Sequence, residues 1–259
     1  MRFTTKLLHD KFPPDAATGA TTQPIFQTSA FYQSTAEDMA KIFAGRKPGF
    51  VYTRVGNPTI ASFERRINAL EGGVGAVACS SGMAAVTQAV LNILSQGDEL
   101  VAAGGLYGGT SSIFRDLASF GITVRYAKGD KVADFAAVIT EKTKLIYVET
   151  IGNPKLDVAD IAGLAELAHA HEVPLFVDNT VTTPYLCQPL KLGADVVIHS
   201  TSKAINGNGN SIGGIVVSGG TFKWNPAKFP KLKECPFGPM SFLVRLRQRM
   251  VTDYGGCMA

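Results

Sequence analysis

The sequence predicts an α/β fold, a mostly parallel sheet with helices on both faces. Three observations carry that expectation. From Gly75 onward short apolar runs alternate with helical stretches, and the runs are apolar on both faces, as strands of a covered parallel sheet must be. Glycine supplies 27 of 259 residues, about 10% against a usual share near 7%, so many tight turns or close backbone approaches are needed.

The elements follow in chain order. Residues 1–58 show little periodicity and many turn formers, among them Pro13-Pro14, Gly19, Pro24, Pro48-Gly49 and Gly56-Asn57-Pro58, and read as an extended arm. Thr59 to Leu70 reads as a helix, with Ile60, Phe63, Ile67 and Leu70 on one face. The remaining residues, 59–259, form the main body. Its strand runs are 76–79, 99–103, 122–126, 144–148, 174–177, 195–198 and 214–217. Between them the clearest helical patterns are Met83–Leu94 and Ile161–His171.

Composition excludes several classes. The chain is 46% hydrophobic and 18% charged, too apolar for a disordered protein. A net charge of +4, scattered along the sequence, leaves no nucleic-acid footprint. Four cysteines, Cys79, Cys187, Cys235 and Cys257, without CxxC spacing predict reduced thiols and a cytoplasmic setting. The start lacks the apolar stretch of a signal peptide. Gly72 to Gly97 has no charge but is split by glycines and polar residues, so a buried strand and helix are expected there, and no membrane partner. The four histidines have no metal-ligand spacing, so no metal site is predicted. Lys223 to Lys233 reads as a basic, solvated surface loop.

In a parallel sheet ligands sit beyond the carboxyl ends of the strands. Ser80-Ser81-Gly82-Met83 opens a helix after the first run, which suits a phosphate, although a plain Ser N-cap explains it equally well. Tyr107, flanked by glycines, offers a ring on which a planar group could stack; a loop tyrosine that simply packs down is the plainer alternative. Asn153 lies in an Asn-Pro turn after the fourth run. Asp178 ends the fifth run, where a buried acid needs a cation, donors or a cap. Ser200-Thr201-Ser202-Lys203 ends the sixth, making Lys203 a candidate Schiff-base nucleophile or an ordinary surface lysine. Together these groups match the needs of pyridoxal 5'-phosphate: a lysine, an acid for the ring nitrogen, a stacking ring and a phosphate cradle. Gly82 to Tyr107, Asn153 to Asp178, and Asp178 to Lys203 are each 25 residues apart, about one strand and its crossover.

The chain resembles the Cys/Met-metabolism family of pyridoxal-phosphate enzymes. The likeness runs over essentially its whole length, through Tyr52-Thr-Arg-Val-Gly-Asn-Pro-Thr59, Ser81-Gly-Met83, Leu106-Tyr-Gly108, Asp178-Asn-Thr180 and Ser200-Thr-Ser-Lys203. The resemblance implies the large domain of a type I pyridoxal-phosphate transferase. It implies that Lys203 bonds the cofactor and shuttles protons, that Asp178 pairs with the ring nitrogen, and that Asn153 contacts the ring oxygen. Tyr107 would stack on the ring and serve as acid/base near the leaving group. Gly82, Met83, Ser200 and Ser202 would hold the phosphate. Tyr52 and Arg54 would reach the phosphate of a neighbouring subunit, so a homodimer, usually paired into a homotetramer, is implied.

Within the family three segments resemble O-acetylhomoserine sulfhydrylases: Ile42 to Tyr52, Tyr107-Gly-Gly-Thr110 and Gly207 to Gly214, although Asn208 stands where these more often carry His. The implied reaction is a γ-replacement, in which O-acetylhomoserine and sulfide give homocysteine. Cystathionine γ-synthase and the cystathionine and methionine γ-lyases are the other activities of the family. Relatives continue past a Tyr-Gly-Gly-Cys-like stretch into a second α/β domain carrying an arginine for the substrate carboxylate. The sequence here stops at Ala259, so a truncated form, weakly active or inactive, is the expectation. A nicotinamide oxidoreductase is the competing enzyme class, but Gly73-Val-Gly-Ala-Val-Ala78 precedes its strand instead of following one. A non-catalytic remnant that binds a complete partner is the other alternative.

Overall fold

Seven apolar runs become seven strands of a single sheet. The computed structural model describes residues 2–9 and 14–258; Pro13, one of the expected turn formers, lies outside them. The strands are β1 (Gly75–Cys79), β2 (Glu99–Ala102), β3 (Thr123–Tyr126), β4 (Thr143–Glu149), β5 (Leu175–Asp178), β6 (Val196–Ser200) and β7 (Gly214–Ser218), in the order β1-β7-β6-β5-β4-β2-β3. Neighbours from β6 to β3 pair in parallel, and β7 alone runs against both of its neighbours. The expected fold class is therefore the observed one.

The helices are α1 (Phe3–His9), α2 (Ala36–Phe43), α3 (Pro58–Glu71), α4 (Gly82–Leu91), α5 (Gly108–Asp116), α6 (Val132–Ala136), α7 (Ile161–Ala170), α8 (Thr183–Leu186) and α9 (Ser241–Arg245). Local chemistry sets the ends of α3. Asn57 Oδ1 accepts the Thr59 N–H, Pro58 occupies the first turn, and Gly72 ends the helix at φ 80°. Ser81 caps α4 in the same way, its Oγ accepting the Ala84 N–H at 3.0 Å.

Alternation along the strands divides the core in two. Val77, Leu100, Leu145, Tyr147, Phe176 and Ile198 pack against α4 and Phe242 of α9 on one face. On the other, Val101, Ile146, Val148, Leu175 and Val177 meet α7, while Val197, Ile215 and Val217 meet Ile67 and Leu70 of α3. A sheet buried on both sides leaves its strand ends as the place for polar chemistry.

The segment before α3 buries little: α1 and α2 contain no buried residue, and Ile25 and Tyr32 are exposed. The Lys223–Lys233 segment corrects the expectation of a solvated loop. Trp224, Phe229 and Leu232 are buried in the core, Lys228 Nζ donates to the His171 carbonyl, and Lys231 Nζ donates to the carbonyls of Leu91 and Leu94. These lysines cap helix C-termini, where unpaired carbonyls favour cations.

Candidate active site

A cavity of about 460 Å³ opens at the carboxyl ends of β1, β4, β5 and β6. The sheet brings to it Gly82, Met83, Tyr107, Asn153, Asp178, Ser200, Ser202 and Lys203. All eight belong to the set expected from the sequence. Tyr52 and Arg54 do not line it: Tyr52 is 43% exposed, and Arg54 sits 5.5 Å over the Tyr52 ring, donating to the Thr252 carbonyl.

Each group is placed by the element that carries it. Gly82 begins α4 so close to β6 that a Cβ there would lie 2.4 Å from Ser200 Cβ and 2.8 Å from Ser200 Oγ. Only glycine lets the helix N-terminus approach the strand end this closely, which puts the free N–H groups of its first turn beside the Ser200 hydroxyl. The Ser202 hydroxyl accepts the Gly213 N–H at 3.1 Å, holding the turn that follows β6 against the start of β7. Lys203 extends from that turn and is exposed to the cavity.

Asp178 ends β5 in the cavity floor. Its Oδ1 accepts the Thr180 N–H at 3.0 Å and the Thr180 hydroxyl at 2.5 Å, and Tyr147 Oη lies 3.4 Å from Oδ2. Burial raises its carboxyl above the ordinary carboxylate range, against the pull of the Thr180 donors and the His199 ring. A carboxyl in that condition favours its protonated form until a cation is brought beside it.

Two contributors were not singled out from the sequence. Thr180, besides bonding Asp178, accepts the Ser200 N–H at 2.8 Å and so joins the ends of β5 and β6. Glu149, at the end of β4, lines the cavity and accepts the Tyr107 N–H at 2.7 Å. The sequence signal for Glu149 is the same as for Asp178, an acid closing an apolar run.

The donor set suits pyridoxal phosphate: an amine able to bond an aldehyde, a half-buried acid able to pair with a cationic ring nitrogen, and hydroxyls with helix N–H groups for a phosphate. Comparison with known proteins agrees. The family profile of Cys/Met metabolism PLP-dependent enzymes matches residues 4–240. The chain belongs to this family, and pyridoxal 5'-phosphate is the cofactor of the class. It is 40% identical over 269 residues to homocysteine synthase of Schizosaccharomyces pombe, covering 98% of this chain and 63% of that protein. With O-acetyl-L-homoserine sulfhydrylase of Corynebacterium glutamicum it shares 40% identity over 274 residues, covering 99% of this chain and 63% of that one. A crystal structure of an O-acetylhomoserine (thiol)-lyase from Campylobacter jejuni, containing N'-pyridoxyl-lysine-5'-monophosphate, superposes with a TM-score of 0.91 at 30% identity, covering 100% of this chain and 67% of that one. The chain thus spans about 63% of the length of the curated relatives it matches.

Proposed function

We propose that the protein catalyses γ-replacement, converting O-acetylhomoserine and sulfide to homocysteine and acetate, with Lys203, Asp178 and Tyr107 as its catalytic groups. The observation that supports this most is the convergence of those three side chains on one cavity, in a chain whose relatives are named homocysteine synthase and O-acetyl-L-homoserine sulfhydrylase.

Bound pyridoxal phosphate supplies an electron sink for charge developing at the substrate carbons. The chain's residues do the rest. Lys203 Nζ holds the cofactor between turnovers, and as a free amine it takes protons from the substrate Cα and Cβ. Asp178 would keep the ring nitrogen protonated. Tyr107 would pack against the ring and hand a proton at the Cγ end, where acetate leaves and sulfide adds. Gly82, Met83, Ser200 and Ser202 would hold the phosphate, and Asn153 the ring oxygen. Residues 1–58 act as an arm toward a second copy of the chain in a homodimer or homotetramer, with Tyr52 and Arg54 reaching the neighbour's phosphate; their position outside their own cavity supports this. Reduced cysteines are in keeping with a cytoplasmic enzyme.

The test is borohydride reduction of the cofactor-loaded protein followed by peptide mapping, with homocysteine measured from O-acetylhomoserine and O-succinylhomoserine in parallel. Label on Lys203 and turnover of the acetyl ester are expected. Label on another peptide overturns the site, and preference for the succinyl ester overturns the substrate.

A further inference from the structure

The loop that carries Tyr107 is poorly suited to hold an aromatic platform still. Gly104 and Gly105 precede Leu106-Tyr107, and Gly108 and Gly109 follow. Glycine on both sides leaves the backbone many conformations to lose before the ring has a fixed place. Tyr107 also sits at the N-cap of α5 and its side chain makes no cap hydrogen bond, so the usual brake on a helix N-terminus is missing.

A brake exists on the neighbouring strand. Glu149 is only 8% exposed, and its Oε1 accepts the Tyr107 N–H at 2.7 Å. One side chain, rooted in the rigid end of β4, therefore ties down the loop that brings Tyr107 to the cavity. Isolating a carboxyl beside Asp178, its register partner on β5, is costly. The Tyr107 N–H offsets part of that cost, which is what a latch requires.

We infer that Glu149 is a positioning residue, a latch whose carboxyl oxygen fixes the Tyr107 loop at the cofactor cavity. The inference rests on the cavity reading given above only for the identity of what that loop borders; the latch itself is a property of the chain.

The experiment is hydrogen–deuterium exchange on the full chain without cofactor, comparing wild type, Glu149→Ala and Glu149→Gln. Glu149→Ala should speed exchange in peptides spanning 104–110 by roughly tenfold or more, and leave 175–178 and 196–200 unchanged. Glu149→Gln keeps an oxygen acceptor and should retain protection within about twofold of wild type. Should Glu149→Ala fail to fold, Glu149→Asp, which withdraws the oxygen by one methylene, takes its place with the same expectation. Unchanged exchange in the alanine or aspartate variant, or equal loosening in the glutamine variant, overturns the latch. Pyridoxal-phosphate titration of the same proteins separates the two readings. Binding about tenfold weaker in Glu149→Ala, with Glu149→Gln near wild type, supports the latch acting on the cofactor site. A wild type that binds no pyridoxal phosphate sinks the functional reading and leaves the exchange result to stand or fall alone.

Discussion

Glu71, the last residue of α3, lies 2.6 Å from His199 Nε2 on β6, and both side chains are sealed from solvent. Asn179 Nδ2 donates to the same Glu71 oxygen at 3.0 Å, while Asn179 Oδ1 accepts the Thr150 hydroxyl at 2.7 Å. A buried polar network thus runs directly behind the strand ends that present Asp178 and Ser200, and couples them to the helix that follows the arm. Because Glu71 takes both the His199 ring and the Asn179 amide as partners, the network fixes the relative positions of β5, β6 and α3.

Removing Glu71 leaves His199 Nε2 without its partner in a dry interior and the Asn179 amide with only the Cys187 carbonyl. Glu71→Ala is expected to cost about 3 kcal/mol in urea unfolding, and Glu71→Gln less, since the amide still accepts. A loss below about 0.5 kcal/mol for the alanine variant would show that water replaces the missing oxygen.

Gly82→Ala tests the close approach of α4 to β6. A methyl group 2.4 Å from Ser200 Cβ cannot be accommodated without moving the helix start or the strand end. The expected penalty is about 1–3 kcal/mol, read by thermal unfolding, together with weakened pyridoxal-phosphate binding by titration. Full retention of both would mean that the α4 start adjusts freely, and that its N–H groups are not fixed in place.

Much of this was legible in the sequence, for a physical reason. Six of the strands were visible because a sheet covered on both faces forces its strands to be apolar throughout, and the turn residues marked their ends; β3, Thr-Val-Arg-Tyr at the edge of the sheet, is the exception, with most of its side chains exposed. The cavity residues were visible because polar groups at such ends stand out. Thr180 and Glu149 escaped because they touch backbone and neighbouring side chains, which only the register of β4, β5 and β6 brings near. Lys228 and Lys231 were misplaced on solvent because their partners, the carbonyls of His171, Leu91 and Leu94, are distant in sequence.

Glu149 also makes a pH prediction. Burial first, then the charge of Asp178, push its carboxyl up from 4.5 to about 8, with the Tyr107 N–H pulling the other way. The folded chain therefore keeps this proton up to about pH 8, whereas the unfolded chain releases it near pH 4.5. Folding takes up a proton between those values, so this group's contribution to stability is lost as the pH rises through that window. Thermal melts of the cofactor-free protein should place Glu149→Gln near wild type at about pH 5 and above it at about pH 9. A constant difference between the two proteins across the range would refute the shift.

Asp178→Asn keeps the shape of the side chain and the Thr180 contact but removes the negative charge. Turnover should fall roughly hundredfold or more, because stabilisation of developing charge depends on a protonated ring nitrogen. Cofactor attachment to Lys203, read by borohydride labelling, should survive. If turnover stays within about threefold of wild type, Asp178 is a structural acid held by Thr180 and the ring nitrogen has another partner.

The arm can be tested by mixing variants. Arg54→Ala removes a group expected to serve the neighbouring subunit, and Lys203→Ala removes one that serves its own. Each protein alone should be inactive or nearly so. In a dimer containing one copy of each, the chain that retains Lys203 receives Arg54 from its partner, so one of two sites is complete. Random pairing after co-expression should then restore about a quarter of the wild-type sites, counted as borohydride-trapped cofactor on Lys203 and as homocysteine formed. If Arg54 instead serves its own cavity, swinging away from the Tyr52 ring and the Thr252 carbonyl, no mixed dimer holds a complete site and co-expression restores nothing.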